Sequence, residues 1–290
     1  MLDAKVRYSP AGSASSLAFD SDMLLEKVQD ASIAMLRAAT AAMAIRRPEV
    51  GACSTDLAGA CVAYSGSDVP LTCAIGVGTS SPVDGKDIAV IETFYDSLNS
   101  PVRIAISGRT HVGVNSLLAS RGYKAGALME NWWMPLTGIA AQPIPGNIEV
   151  TPATMDDAEL WVRTVAAGFQ ETDEPIDEYK LPPAMIDTFY CFGFADGARP
   201  FLARRNGEVA GGGVFHVNGD TAHLRTTSCR FLHRRNGVQS ALLNVRLQWA
   251  LKAGCRFAFS STAGIGTSAR NLQRLGLQPL SISFLMSKPC

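Results

Sequence analysis

Apolar and polar positions alternate through much of the second half of the chain, which is the pattern of half-buried β-strands. The pattern predicts strands at 148–150, 200–204, 209–217, 221–230 and 257–261, followed by two closing strands. Asn206 with Gly207, and Asn218 with Gly219, separate three of these runs. Because Asn and Gly both tolerate positive φ, these pairs predict two tight hairpins.

Helical spacing of apolar residues appears between the strands. Thr154 and Asp157 form a capping signature before a stripe that comprises Ala158, Trp161, Val162, Val165 and Phe169. A second helix is predicted at Pro183–Tyr190, and a third at Gly237–Lys252 with Val238, Ala241, Leu242, Val245 and Trp249 on its apolar face. The last helix is predicted at Ser268–Leu275, and Gly276 ends it.

The first half carries weaker signals of a similar kind. It predicts a strand at Val102–Ser107, a helix at Val114–Ser120 that Gly122 ends, and a strand pair within Tyr123–Leu136. The segments LLASRGY and NLQRLGL occupy matching places near the end of each half, which indicates a tandem repeat. The aperiodic stretch TGIAAQPIPGN at 137–147 predicts a linker, and therefore two domains at 1–140 and 148–290. For Trp132 and Trp133 we expect packing in a core or between the domains, and the alternative is that they line the acceptor cleft.

Charge and cysteine content narrow the functional classes. The 290 residues contain 26 Lys and Arg against 26 Asp and Glu, so no whole-chain field favours nucleic acid or a membrane surface. The seven cysteines form no Cys-x-x-Cys pair and are interpreted as small buried residues in a reducing compartment. The N-terminus has no apolar signal segment, and the most apolar helical stretch, near 31–45, contains Arg37. We therefore expect a cytoplasmic protein.

The segment from Arg234 to Ser240 has the chemistry of an anion cradle. A strand leads into the basic pair Arg234 and Arg235, and Gly237 then opens an amphipathic helix. The first N–H groups of a helix lack intrahelical acceptors and carry partial positive charge, and glycine leaves room for a phosphate to approach. The alternative is a solvated basic turn before an ordinary helix.

Two other patterns are weaker. GIGTSA at 264–269 matches the dinucleotide fingerprint, but the chain ends before an acidic ribose partner or a continuing parallel sheet could follow. The run Gly211–Gly213 falls inside a predicted strand and indicates close backbone packing. The four histidines show no ligand spacing with Cys or carboxylates, so no metal site is predicted.

The stretch from Thr226 to Cys255 resembles the acyl-CoA motif of the Gcn5-related N-acetyltransferase (GNAT) superfamily. Arg234, Asn236, Gly237, Val238, Ser240, Ala241, Leu242 and Leu243 fit that motif, while Gln239 replaces its final Gly or Ala. The segments AGC, TSARN and RLGL follow in the family's order, so the resemblance covers 148–290. It implies an α/β fold with a mixed, mostly antiparallel sheet flanked by helices in each of two GNAT-like domains.

The resemblance also implies a site. The backbone of Cys229, Arg230 and Phe231 would pair with the pantetheine arm where the strand splays from its neighbour. The residues that would hold the pyrophosphate are Arg234, Arg235, Asn236, Gly237, Val238, Gln239 and Ser240. Asn271 matches a frequent contact to the pantetheine or phosphate side, although a capping or solvent-facing role stays open for it.

The resemblance implies transfer of an acetyl group from acetyl-CoA to an amine by direct attack, without a metal. Many relatives supply an acid from a Tyr after the last helix, but none follows Gly276, so Ser281, a water or no acid serves. Glu171, Asp173, Glu174 and His216 are candidate bases, and no spacing chooses among them. The acceptor, a small molecule or a peptide, and the oligomeric state stay open.

The first half lacks the cradle, since its matching region, 79–94, is acidic where the helix begins. We expect it to be a degenerate repeat that supports the fold, shapes the acceptor cleft or forms an interface. The alternative function is a noncatalytic protein that senses acyl-CoA or binds a partner.

Overall fold

The structure is a computed structural model that describes residues 19–67, 69–170, 182–264 and 266–289. Its helices are α1 (Ser21–Arg46), α2 (Gly85–Asp96), α3 (Val114–Ser120), α4 (Ala158–Gln170), α5 (Pro183–Phe194), α6 (Val238–Lys252) and α7 (Thr267–Arg274). Its strands are β1 (Cys53–Leu57), β2 (Ala60–Tyr64), β3 (Cys73–Ile75), β4 (Val102–Ile106), β5 (Lys124–Ala125), β6 (Met129–Pro135), β7 (Ile148–Pro152), β8 (Ala198–Arg205), β9 (Glu208–Asn218), β10 (Thr221–Cys229), β11 (Phe257–Ala263) and β12 (Gln278–Lys288).

The two halves repeat one arrangement. Antiparallel strands lead into a parallel pair joined by a helix: β3, α2 and β4 in the first half, and β10, α6 and β11 in the second. The predicted mixed α/β class is confirmed. The sheet order through the described residues is β1-β2-β3-β4-β12-β6-β11-β10-β9-β8-β7, with β5 beside β12.

The late strands of the halves are exchanged. β6 comes from the first half but pairs with β11 from Phe257↔Pro135 to Ala263↔Met129. β12 ends the second half but pairs with β4 from Phe284↔Ile106 to Lys288↔Val102, and it also pairs with β6. Each half therefore completes its sheet with a strand from the other.

Several strand predictions need correction. The predicted strand pair within 123–136 is wrong, because β5 and β6 each pair with β12 rather than with each other. The two predicted closing strands are one strand, β12, which continues through a register shift between Pro279 and Ser281. The first predicted hairpin is confirmed, with Asn206 at φ 53° and Gly207 at φ 84°. The second turns at Gly219 and Asp220, one residue later than predicted.

The predicted helices exist, but two apolar faces differ. On α4 the first four stripe residues are buried, whereas Phe169 is 53% exposed and stacks on Phe189. On α6 Val245 is only partly buried and Trp249 is 43% exposed, and the buried face instead includes Arg246, Leu247 and Ala250. That face turns toward the sheet, because Arg246 bonds strand carbonyls. α5 continues past its predicted end to Phe194.

The predicted close packing at Gly211–Gly213 is confirmed. A Cβ at Gly211 would lie 2.5 Å from the Ser228 carbonyl oxygen, and one at Gly213 would lie 2.9 Å from the Arg246 guanidinium carbon. The predicted capping box of Thr154 and Asp157 is also present. The absence of side chains at Gly211 and Gly213 lets α6 pack close to the central strand β9.

Polar contacts tie the ends of the sheet to its helices. Glu92 of α2 accepts hydrogen bonds from Arg121 and Lys288, which anchors the end of β12. Asp187 of α5 pairs with Arg46 and Arg47 at the end of α1, which joins the two halves. Trp132 is 8% exposed and packs in the core that surrounds α6, as expected for core packing.

The cysteine prediction is wrong for Cys53, which is exposed because β1 is the outermost strand. Cys61, Cys73, Cys191 and Cys255 are buried. No helix in the described part of the chain has the length and apolar character to span a membrane.

Candidate functional site

A cavity of about 1300 Å³ lies between the two halves. Strand β10, the start of α6, the end of β11 and helix α7 line it from the second half. Helix α1, the end of β4, and the start of β6 line it from the first half, through residues such as Gln29, Ser107 and Asn131. The candidate site is therefore built by both halves.

The cavity opens where two parallel strands separate. β10 and β11 pair only from Thr221↔Phe257 to Leu224↔Ser260, although both strands continue beyond those residues. Thr226 adopts φ 50°, and the register of β10 against β9 shifts between Arg225 and Ser228. Residues 225–229 of β10 and 260–263 of β11 line the gap. The splay expected from the sequence is thus present.

The N-terminus of α6 faces the same cavity. Gly237 has φ 85° at the N-cap, no side chain caps the first turn, and that turn contains no acidic residue. Gly237, Val238, Gln239 and Ser240 line the cavity. By contrast, Asp84 and Asp87 cap α2 with their carboxylates, which confirms the acidic helix start in the first half. The positive end of α6 is open to an anion.

The reason for glycine at 237 differs from the one the sequence suggested. A Cβ there would point toward Pro145 and Ile148, at ordinary contact distances of 3.5 and 3.7 Å. Neither residue lines the cavity, so a Cβ would not block a phosphate. Glycine is favoured because φ 85° lies in the left-handed region.

The structure brings most predicted site residues to the cavity wall. Those that line it are Cys229, Arg234, Arg235, Gly237, Val238, Gln239, Ser240 and Asn271. Arg230, Phe231 and Asn236 do not. The Arg230 guanidinium bonds the Val209 carbonyl, and Asn236 bonds the Arg234 carbonyl.

Hydrogen bonds explain how the wall is held together. The Arg234 guanidinium donates to the Gly168 carbonyl at 2.8 Å, which ties the turn to the end of α4. Gln239, the departure from the motif, donates to Ser268 Oγ at 3.2 Å and accepts from Asn271 Nδ2 at 2.7 Å. Asn271 is 7% exposed and its Oδ1 accepts from Arg274. Gln239 and Asn271 therefore bridge α6 to α7.

The charged side chains that line the cavity in the described part of the chain are all arginines: Arg225, Arg234, Arg235, Arg270 and Arg274. The described lining contains no Asp or Glu. The candidate bases Glu171, Asp173 and Glu174 lie outside the described residues. The wall as described suits an anionic ligand.

Two histidines near the site are neutral at physiological pH. Burial and the nearby Arg225 lower the pKa of His216 to about 4, and its Nε2 bonds the Phe192 carbonyl. His216 does not line the cavity. His223 does, and burial first, then Arg225, lowers its pKa well below the usual value. It stacks on Phe259 with centroids 3.8 Å apart.

Sequence reasoning missed three residues beside the gap. Arg225 lines the gap, and Arg246 lies fully buried behind it. The signal that could have found them is a charged residue within a strand or on the apolar side of a helix, where charged residues are rare. Ser268 was inside a predicted helix, but only the fold brings it to Gln239. Ser281, named above as a candidate acid, lines the cavity and accepts from Asn131 Nδ2 at 3.2 Å.

The described residues contain no group of three or more His, Cys, Asp or Glu side chains that could hold a metal ion.

Comparison with known proteins supports the resemblance seen in the sequence. Residues 166–277 match the model of the acetyltransferase (GNAT) family. No curated protein matches the chain. A GCN5-related N-acetyltransferase from Kribbella flavida has a similar structure, with a TM-score of 0.68 at 13% identity over 92% of this chain and 96% of that one.

Two further solved structures share the fold. A functionally unknown conserved protein from Staphylococcus epidermidis gives a TM-score of 0.60 at 12% identity over 83% of this chain and 95% of that one. A tandem GNAT protein from the clavulanic acid biosynthesis pathway gives a TM-score of 0.57 at 13% identity over 79% of this chain and 78% of that one. The predicted GNAT resemblance and fold are confirmed.

Proposed function

We propose that this protein transfers an acetyl group from acetyl-CoA to an amine, in a two-domain arrangement with boundaries near 1–140 and 148–290. The observation that carries the proposal is the uncapped start of α6 opening onto the gap between β10 and β11. The first-turn N–H groups and Arg235 would bind the pyrophosphate. The free edge of β10 near Cys229 would pair with the pantetheine arm as an added strand.

In the reaction, the unprotonated amine nitrogen attacks the thioester carbon and forms the C–N bond. The C–S bond then breaks, the amine nitrogen loses a proton and the CoA sulfur gains one, giving an amide and free CoA. A donor on the splayed edge of β10 would stabilise the oxyanion. Ser281 or water would protonate the departing thiolate.

Direct attack is favoured over an acyl-cysteine intermediate. Cys229 lines the cavity, but burial raises the pKa of its thiol to about 11, so it is a protonated, weak nucleophile at neutral pH. With no carboxylate in the described wall, we expect the amine to lose its proton to solvent. The value of kcat/KM should then rise with pH up to the acceptor amine's own pKa, and two amines of different basicity should give correspondingly displaced profiles. Profiles that coincide for the two amines would contradict solvent deprotonation.

Calorimetric titration of acetyl-CoA tests the binding site, and release of free thiol with a panel of amines tests turnover. Binding in the micromolar range together with amine-dependent thiol release is the expected result. Binding without turnover of any amine would favour the alternative, a noncatalytic acyl-CoA sensor. Absence of binding would refute both functions.

A further inference from the structure

The Arg225 guanidinium has no anionic partner in the part of the chain that the structure describes. It donates to Met35 Sδ at 3.9 Å and lies over the face of Phe192, with the guanidinium carbon 4.7 Å from the ring centroid. Burial lowers its pKa to about 10, so it is still a cation at neutral pH. A partly buried cation held by a thioether and an aromatic ring is solvated poorly, which favours an anionic ligand.

Arg225 lies at the inner end of the gap, away from the α6 cradle. It follows Leu224, the last residue of β10 that pairs with β11, and it precedes Cys229 by four residues. Because of the register shift, Arg225 and Cys229 lie opposite Val214 and Gly211 of β9, so they are separated by about three strand residues, or about 10 Å. A pantetheine arm running along β10 from Cys229 would therefore bring the thioester toward Arg225, and this step rests on the proposed function.

Apart from its arginines, the described lining of the cavity is apolar or neutral. Phe169, Phe189 and Phe192 line the cavity from α4 and α5, and the first two stack at 5.6 Å. Elsewhere in the lining, Asn131 hydrogen-bonds three serine hydroxyls, those of Ser261, Ser281 and Ser283. These groups offer hydrogen bonds but no charge that could neutralise Arg225.

From this arrangement we propose that Arg225 binds a carboxylate on the acceptor, so that the acceptor is an amino acid with an apolar side chain rather than a simple amine or a polyamine. An arginine fork matches a carboxylate with two hydrogen bonds. The aromatic side chains would contact the apolar part of the acceptor. A polycationic acceptor would instead meet a described wall whose charges are all positive.

The test compares each amino acid with its own amide. L-phenylalanine and L-phenylalaninamide, and L-leucine and L-leucinamide, differ at the group that Arg225 would bind. The amide's amine is less basic, so its larger unprotonated fraction favours the amide chemically. We nevertheless expect the acids to have the higher kcat/KM, by roughly ten- to a hundredfold, since a hydrogen-bonded charge pair is lost with the amide.

Variants assign the preference to its residue. Arg225→Met should lower the acid-to-amide ratio by roughly ten- to a hundredfold, to below one, because only the chemical advantage of the amide then remains. Arg225→Lys should restore part of the preference for the acid. Arg235→Met is the matched control: it removes an arginine at the cradle end of the cavity, so it should raise the KM for acetyl-CoA while keeping the ratio. A wild-type ratio near one, or a ratio that Arg225→Met does not change, would overturn the proposal.

Two further arms separate the sources of failure. If succinyl-CoA outperforms acetyl-CoA in an Arg225-dependent way, the carboxylate belongs to the acyl group, and the acceptor assignment is wrong. If acetyl-CoA binds but no acceptor turns over, calorimetry of the four acceptors on the CoA-loaded protein decides, and equal or absent binding of acid and amide overturns the proposal. Failure of acetyl-CoA itself to bind removes the proposed function as well.

Discussion

Gln239→Glu is predicted to weaken acetyl-CoA binding without destabilising the fold. The side chain lies in the first turn of α6, accepts from Asn271 and donates to Ser268. A glutamate has the same shape: one oxygen can keep the Asn271 bond, and the Ser268 hydroxyl can rotate to donate to the other. A carboxylate in the first turn also interacts favourably with the helix dipole, which stabilises the folded state by about 0.3–1 kcal/mol. The thermal midpoint should therefore stay the same or rise slightly.

The same charge opposes the pyrophosphate. At a separation of about 7 Å, roughly one and a third helical turns, and an effective dielectric constant of about 60, each pair of unit charges repels by about 0.8 kcal/mol. Two pyrophosphate charges give about 1.6 kcal/mol, or an approximately 15-fold rise in Kd. The effect should shrink in 1 M salt, where the Debye length is about 3 Å.

Calorimetry with two ligands and two variants isolates this charge effect. Acetyl-pantetheine lacks the pyrophosphate, so Gln239→Glu should leave its affinity unchanged. Gln239→Met removes the bridge to α7 without adding charge, and any loss it causes should not depend on salt. An unchanged Kd for acetyl-CoA in Gln239→Glu, or equal weakening of both ligands, would refute the placement of the pyrophosphate at α6.

Three other predictions concern stability. Gly168→Ala would place a Cβ against Ser228 Oγ, which donates to the Val165 carbonyl, and 3.0 Å from the carbonyl group of Cys229. It should therefore destabilise the fold by about 1–3 kcal/mol in chemical denaturation. Gly146→Ala, whose Cβ would have nothing within 4 Å, should not, and equal effects would count against the packing argument. Burial would raise the pKa of Glu92, but its two cationic partners hold that pKa below the usual value. The contribution of Glu92 to the free energy of unfolding is therefore complete above the ordinary carboxyl pKa, and it is lost as pH falls through the lower pKa of the folded state. Glu92→Gln should therefore unfold about 1–3 kcal/mol more easily at neutral pH, and a gap from wild type that persists in acid would contradict this assignment. A fragment of residues 148–290 lacks β6, which pairs with β11 and β12. Circular dichroism and size-exclusion chromatography should therefore show that the fragment is unfolded or aggregated. A folded monomer would show that the exchanged strand is dispensable.

Local features of the fold could be predicted from the sequence because their causes are local. The hairpin at Asn206 follows from the backbone freedom of two adjacent residues, and the start of α6 follows from a glycine beside a helical pattern. The dense packing at Gly211 follows from the absence of side chains within a strand. Each of these signals lies within a few residues of the structure that it specifies.

The exchange of β6 and β12 could not be predicted in this way. The residues of β6 specify a strand, but its partners lie more than 120 residues later in the chain, at Phe257 and beyond. Pairing at that separation depends on the shape of the assembled halves. For the same reason, the cavity walls from α1 and from β4 were not foreseen, although a role for the first half in shaping the acceptor cleft was one of the expectations.

Arg246 shows how one helix, α6, positions both the phosphate end and the thioester end of the proposed site. It is fully buried on α6 and donates to the Val214 and Arg225 carbonyls and to Thr227 Oγ1, at distances between 2.6 and 3.1 Å. These bonds satisfy backbone groups where β10 leaves its regular pairing, a place where unsatisfied carbonyls would be costly. From Val238 to Arg246 the helix rises about 12 Å. That length is close to the roughly 10 Å between Arg225 and Cys229, which lie opposite Val214 and Gly211 of β9. In the proposed complex, the helix whose N-terminus would face the phosphates therefore also fixes the bulge at which the thioester would react.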